Sequence, residues 1–111
     1  MQSTELAQLV QTELDLRKAL HIATLDVRDK TSITDFMIVA TATSARHAKS
    51  LCDYVVVKVK ENGIQPIGTE GEQGSDWVLL DLGDVIVHVM TGQAREFYQL
   101  EKLWSVPAKS A

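Results

Sequence analysis

Cysteine is almost absent from this chain. The one residue, Cys52, cannot close an internal disulfide, and no paired Cys/His spacing offers a zinc site, so the fold needs neither an oxidising compartment nor a structural metal. Two prolines and six glycines are too few for a fibrous or low-complexity chain. No stretch approaches the ~18 apolar residues of a membrane span. The opening MQSTELAQLV carries acid and Gln where a signal peptide carries basic residues and then an apolar run, so a soluble, cytoplasmic protein is expected. A basic surplus is also missing. Eleven Lys and Arg stand against fifteen Asp and Glu for a net charge of −4, and the longest basic clusters are Arg17-Lys18 and Lys58 with Lys60. A protein that grips many phosphates carries a basic stripe, so little direct contact with nucleic acid is expected, and a basic protein surface is the better-matched partner.

What is present suits one globular domain. The chain has 111 residues, 45% of them hydrophobic and 23% charged, enough for two packed layers around one core. Residues 1–105 read as that domain and 106–111 as a frayed tail. Ser3 precedes Leu6, Leu9, Val10, Leu14 and Leu20 at mostly helical spacing, which predicts a helix from about Thr4 to Leu20. Ile22 to Val27 and the nearly continuous apolar run Asp35 to Thr41 predict two strands, the second buried on both faces. Thr43 or Ser44 can cap a second helix with an apolar stripe of Ala48, Leu51, Cys52, Val55, Val56 and Val59, ended by Asn62-Gly63. A short edge strand over Ile64 to Ile67 and a surface loop over Gly68 to Ser75 follow. Trp77 to Asp81 and Val85 to Met90, joined by Leu82-Gly83-Asp84, read as a β-hairpin. A last helix is predicted from Gln93 to Trp104, with Ala94, Phe97, Leu100, Leu103 and Trp104 as its apolar positions. The order α-β-β-α-β-β-β-α gives an α/β domain, a mixed five-stranded sheet flanked by helices.

The residues that could carry chemistry each have a simpler use. His88, mid-strand with Ile86 and Met90 on its own face, reads as a packed or hydrogen-bonded core residue, with Asp81 or Asp84 as candidate partners. His47 near a helix start could face an anion, although a structural role is favoured, and His21 is expected at a helix end. Cys52 lies in an apolar stripe without an activator and reads as an inert thiol. Asp26, Asp29 and Asp35, or Asp81 with Asp84, could in principle hold a cation, yet they sit at turns where Asp is common. The Gly68 to Gly74 stretch has no Lys-Ser or Lys-Thr pair and does not fit a phosphate-cradling loop. No catalytic residue, metal or cofactor is assigned.

The hairpin offers a surface instead. If Val78 and Leu80 point one way, Trp77, Leu79 and Asp81 point the other, and Leu82 falls in the loop, where an apolar side chain is expected to be exposed. An aromatic beside an exposed Leu favours an interface, because such anchors dominate binding energy. Tyr98, off the Ala94-Phe97-Leu100-Leu103 stripe, adds to it. Truncating Trp77 or Leu82 is therefore expected to leave the fold intact.

Thr34-Asp35-Phe36-Met37-Ile38, then Ser44 and His47, Glu70-Gly71, the run from Asp76 to Met90, and Arg95 with Tyr98 to Trp104 together resemble the ribosomal silencing factor family, also called Iojap-like proteins. The match covers almost the whole chain, although Ala42 stands where many members carry Gly and Met90 where they carry Phe. The resemblance implies a nucleotidyltransferase-like fold without the catalytic carboxylate motif and a bacterial, non-enzymatic role in slowing translation when nutrients fall. It implies binding to the large ribosomal (50S) subunit through the ribosomal protein numbered fourteen at the intersubunit face, so that the small subunit cannot join; the acidic balance adds the expectation of little direct rRNA contact. Family contacts carry over onto Trp77, Leu82 and Tyr98, with Asp81 and Asp84 facing basic groups. Two other readings stay open at this point: a nucleotide-binding or nucleotidyl-transfer enzyme, and a module in which Trp77, Leu82 and Tyr98 form a homodimer contact.

Overall fold

The computed structural model describes residues 1–71 and 74–99. Its elements are α1 (Ser3–Leu16), β1 (Leu20–Asp26), β2 (Phe36–Ala42), α2 (Ala45–Glu61), β3 (Gly68–Glu70), β4 (Trp77–Asp81), β5 (Val85–Thr91) and α3 (Gly92–Tyr98). Element types and order are those expected. The five strands form one mixed sheet in the order β1-β2-β5-β4-β3.

β2 lies inside the sheet, and every one of its residues is buried. It runs parallel to β5 from Phe36 opposite Val85 to Ala42 opposite Thr91, and antiparallel to β1. The Asp84 carbonyl accepts from the N–H groups of Asp35 (3.0 Å) and Phe36 (3.1 Å), so the end of the hairpin loop sets where the parallel ladder starts. On one face, Leu6, Val10 and Leu14 of α1 and Leu51, Val55 and Val59 of α2 pack with Ile38, Leu80 and Val87 in the main core. A smaller cluster gathers Val27, Met37, Val39 and Met90 with Ala94 of α3, and Trp77 packs against it partly buried. Arg95 fastens α3 to the sheet by donating to the His21 carbonyl and to Thr41 Oγ1, the latter at 2.8 Å.

Both long helices end in the same way. After α2, Gly63 (φ +82) adopts the left-handed conformation, its N–H reaches the Lys60 carbonyl and the Ile64 N–H reaches Val59. After α1, Lys18 (φ +71) takes the same position, its N–H reaches Asp15 and the Ala19 N–H reaches Leu14. The helix predicted to run to Leu20 therefore stops at Leu16, with a lysine standing where glycine usually signals the stop. Leu20 and His21 belong to β1, not to a helix end, and His21 (φ +47) sits in the irregularity between the Leu20 and Ala23 pairings.

The edge strand and the exposed face of α3 also differ from expectation. The edge strand lies at Gly68–Glu70, paired antiparallel with Asp81 to Leu79, and Ile64 to Ile67 is not a strand. Pro66 has no N–H to give to a ladder, and regular pairing begins only with the Ile67 N–H bonded to the Asp81 carbonyl at 2.8 Å. Gly71 (φ +114) then turns so close to β4 that a Cβ would stand 2.8 Å from the Trp77 carbonyl oxygen, which restricts this position to glycine. In α3, Phe97 is 78% exposed although it was expected on the apolar stripe. At about 100° per residue, four steps from Ala94 return to within about 40° of its direction and three only to about 60°, so Tyr98 faces the sheet side better. Leu100, Leu103, Trp104 and the 106–111 tail lie outside the described residues.

An L-residue in the left-handed conformation costs about 1–2 kcal/mol, so Lys18→Gly is expected to raise stability by about 1 kcal/mol, read as a higher urea midpoint with an unchanged slope.

Candidate functional site

Antiparallel pairing of β4 with β5 sets Trp77 opposite Met90, Leu79 opposite His88 and Asp81 opposite Ile86, on the face away from α1 and α2. Trp77 is thus the diagonal neighbour of His88, within reach of a large side chain. Its Nε1–H donates to His88 Nδ1 at 3.0 Å, with ring centroids 5.7 Å apart. The partner of His88 is the indole, not Asp81 or Asp84 as expected, and the bond assigns the Nδ1 lone pair as acceptor. Tyr98 packs against the indole with centroids 4.5 Å apart at 50°, and Phe97 meets Tyr98 edge to face at 4.9 Å. Tyr98 is 51% exposed, and the three rings border a shallow groove of about 350 Å³ shared with Ser75, Asp76, Gln93 and Ala94. Phe97 was missed because its place in an apolar pattern gave it a core role.

The remaining candidates lie elsewhere. Asp81 and Leu82 are four and five residues along the strand from Trp77, about 13 Å or more at the rise of a β-strand. Leu82 is 6% exposed and belongs to the main core, which corrects the expected exposed tip. The alternation that buries Val78 and Leu80 continues one step beyond the strand, and the Leu82 N–H donates to the Val85 carbonyl at 2.9 Å, so the turn proper falls on Gly83 (φ +88) and Asp84. An exposed apolar side chain at this end is Ile67, beside Gly83. Asp81 Oδ1 accepts the Gly83 N–H at 2.9 Å, and the side chain of Asp84 is exposed.

The groups considered for chemistry have structural uses. His47 Nδ1 accepts the Thr43 N–H (2.9 Å) and its Nε2 faces the Arg17 carbonyl (3.1 Å), tying the start of α2 to the end of α1. The Ser44 hydroxyl caps α2 by accepting the His47 N–H. Cys52 is buried, and desolvation pushes its thiol up to about 12. Asp26 is held down to about 2 by its side-chain hydrogen bonds with Arg28. Among the described residues no group of three His, Cys, Asp or Glu is placed to hold a metal ion.

Two consequences can be measured. Removing most of a buried leucine costs about 2–5 kcal/mol, so Leu82→Ala is expected to lower the urea-unfolding free energy by that amount instead of leaving the fold intact. Burial pulls His88 down to about 4 from its ordinary 6.5. Between these values the unfolded chain holds a proton that the folded chain does not. Stability therefore falls as pH drops through this window, by up to about 1.4 kcal/mol per pH unit from this group. Urea titrations from about pH 7 to about pH 4 should show a steeper loss in the wild type than in His88→Asn; equal slopes would contradict it.

Comparison with known proteins agrees with this architecture. A family model described as "Ribosomal silencing factor during starvation" matches residues 1–111. A Haemophilus influenzae protein named ribosomal silencing factor is 44% identical over 100 residues, 90% of this chain and 98% of its own length. The crystal structure of a Chromobacterium violaceum protein superposes with a TM-score of 0.91 at 42% identity, covering 94% of this chain and 87% of that one. One from Bacillus halodurans gives 0.82 at 34% identity, over 91% and 94%. With a family model spanning the whole chain, a close match in fold and sequence identity of this order, the chain belongs to the ribosomal silencing factor family.

Proposed function

We propose that this protein represses translation by binding the large ribosomal subunit through its intersubunit-face protein numbered fourteen, where its bulk keeps the small subunit from joining, and that it does so under nutrient limitation or in stationary phase. Membership of a family named for ribosome silencing supports a ribosome-associated regulator of translation. The resemblance carried by Asp76 to Met90 and Tyr98 to Trp104 supplies the large subunit and the protein partner.

The observation that carries the docking surface is the ring cluster of Trp77, Tyr98 and Phe97. Aromatic side chains already packed on one another lose little rotamer freedom on binding, and such anchors hold most of an interface's energy. Asp81 and Asp84, at the far end of the same hairpin, face basic groups of the partner in this reading, in keeping with the net charge of −4. Leu82 acts from beneath, by holding the turn that presents those carboxylates.

The mechanism needs no chemistry. A body measuring 39 × 33 × 22 Å, seated on a surface required for subunit joining, makes the two associations mutually exclusive. Trp77→Ala is expected to keep its circular dichroism spectrum and lose about 2 kcal/mol of affinity for purified large subunits, near thirtyfold, in co-sedimentation. Binding as tight as that of the wild type would remove Trp77 from the docking surface.

A further inference from the structure

His88 occupies a place in the sheet that suits an aliphatic residue. Val39 of β2 stands beside it on one side and Leu79 of β4 on the other, its neighbour Met90 is fully buried, and His88 itself is only 6% exposed. A buried imidazole costs free energy unless its polar atoms are satisfied, so the histidine calls for a reason beyond packing. The bond that Nδ1 accepts from the Trp77 indole supplies one.

That bond acts on the orientation of the indole. Trp77 begins β4 and is partly buried, and its tilted contact with Tyr98, at 50°, does not by itself choose which edge of the indole faces inward. A fixed acceptor at 3.0 Å chooses the Nε1 edge. The free part of the ring then borders the groove that it shares with Tyr98 and Phe97. A phenylalanine or leucine at position 88 could fill the same space and give the indole no direction.

We propose that His88 is a positioning residue of the docking surface: its Nδ1 locks the Trp77 indole in the orientation that the partner meets, so that docking does not have to order it. This inference rests on the proposed docking role of Trp77. It predicts that the acceptor, and not the bulk of the side chain, matters for binding.

The test compares two substitutions in co-sedimentation with purified large subunits. His88→Leu keeps a side chain of similar size and removes the acceptor. His88→Asn places an amide oxygen close to where Nδ1 stands. In parallel, acrylamide quenching of Trp77 emission is followed in a Trp104→Phe background, which leaves one tryptophan. His88→Leu is expected to bind about tenfold more weakly and to open Trp77 to the quencher, and His88→Asn to recover most of both, as expected where affinity rests on preorganisation. A folded His88→Leu protein that binds as the wild type does would overturn the inference, and so would a folded His88→Asn protein that recovers nothing. Should His88→Leu fail to fold, the wild type decides. A Trp77 indole N–H protected from solvent exchange in nitrogen-labelled spectra supports the lock, and one that exchanges as freely as in a short peptide overturns it. Trp77→Ala separates the two levels: full affinity in that variant removes the docking reading, whereas weak binding there beside unimpaired His88→Leu removes only the role of His88.

Discussion

The parallel pairing of β2 with β5 is the constraint on which the rest of the structure depends. A parallel pair cannot be joined by a tight turn, so the chain between the two strands must travel, and here it builds α2, β3 and β4 on the way. The Asp84 carbonyl, accepting from Asp35 and Phe36, sets the register of that pair at the end of the hairpin loop. Once β5 is fixed, β4 follows antiparallel through the three-residue connection Leu82-Gly83-Asp84, and Trp77 must lie opposite Met90 and diagonal to His88. At the other end of β5, Thr91 caps α3 by accepting the Ala94 N–H, and one further turn of helix brings Tyr98 onto the indole. The aromatic cluster is therefore a consequence of strand register.

Register also explains why the candidate residues divide into two places. In the sequence the hairpin reads as one surface. Its two ends are separated by the length of β4, with rings at the start of the strand and carboxylates at the turn. An interface of ordinary size, about 800 Å² on each partner, spans both, so the separation suits an apolar anchor with an acidic flank. The buried Leu82, between the two carboxylates in sequence, links the flank to the main core.

Much of this was legible in the residues. Continuous apolar character marked β2 as buried on both faces, alternation divided Val78 and Leu80 from Trp77 and Leu79, and the Ser44 cap and Asn62-Gly63 stop bounded α2. What misled was local chemistry overruled by tertiary contacts. Lys18 adopts a conformation that its residue type does not announce, which hid the end of α1. Leu82 extends an alternation past the end of its strand, and Phe97 breaks a periodicity because Tyr98 has a ring to pack on. The Trp77 to His88 bond joins residues eleven apart through a register that only the folded sheet defines.

The proposed function requires mutual exclusion, with one surface of the large subunit holding either this protein or the small subunit. Purified large and small subunits can be mixed with increasing amounts of the protein and resolved on sucrose gradients. Joined ribosomes are expected to diminish as the protein rises, with the protein comigrating with free large subunits and missing from the joined peak. Protein that sediments with joined ribosomes, leaving their amount unchanged, would contradict it.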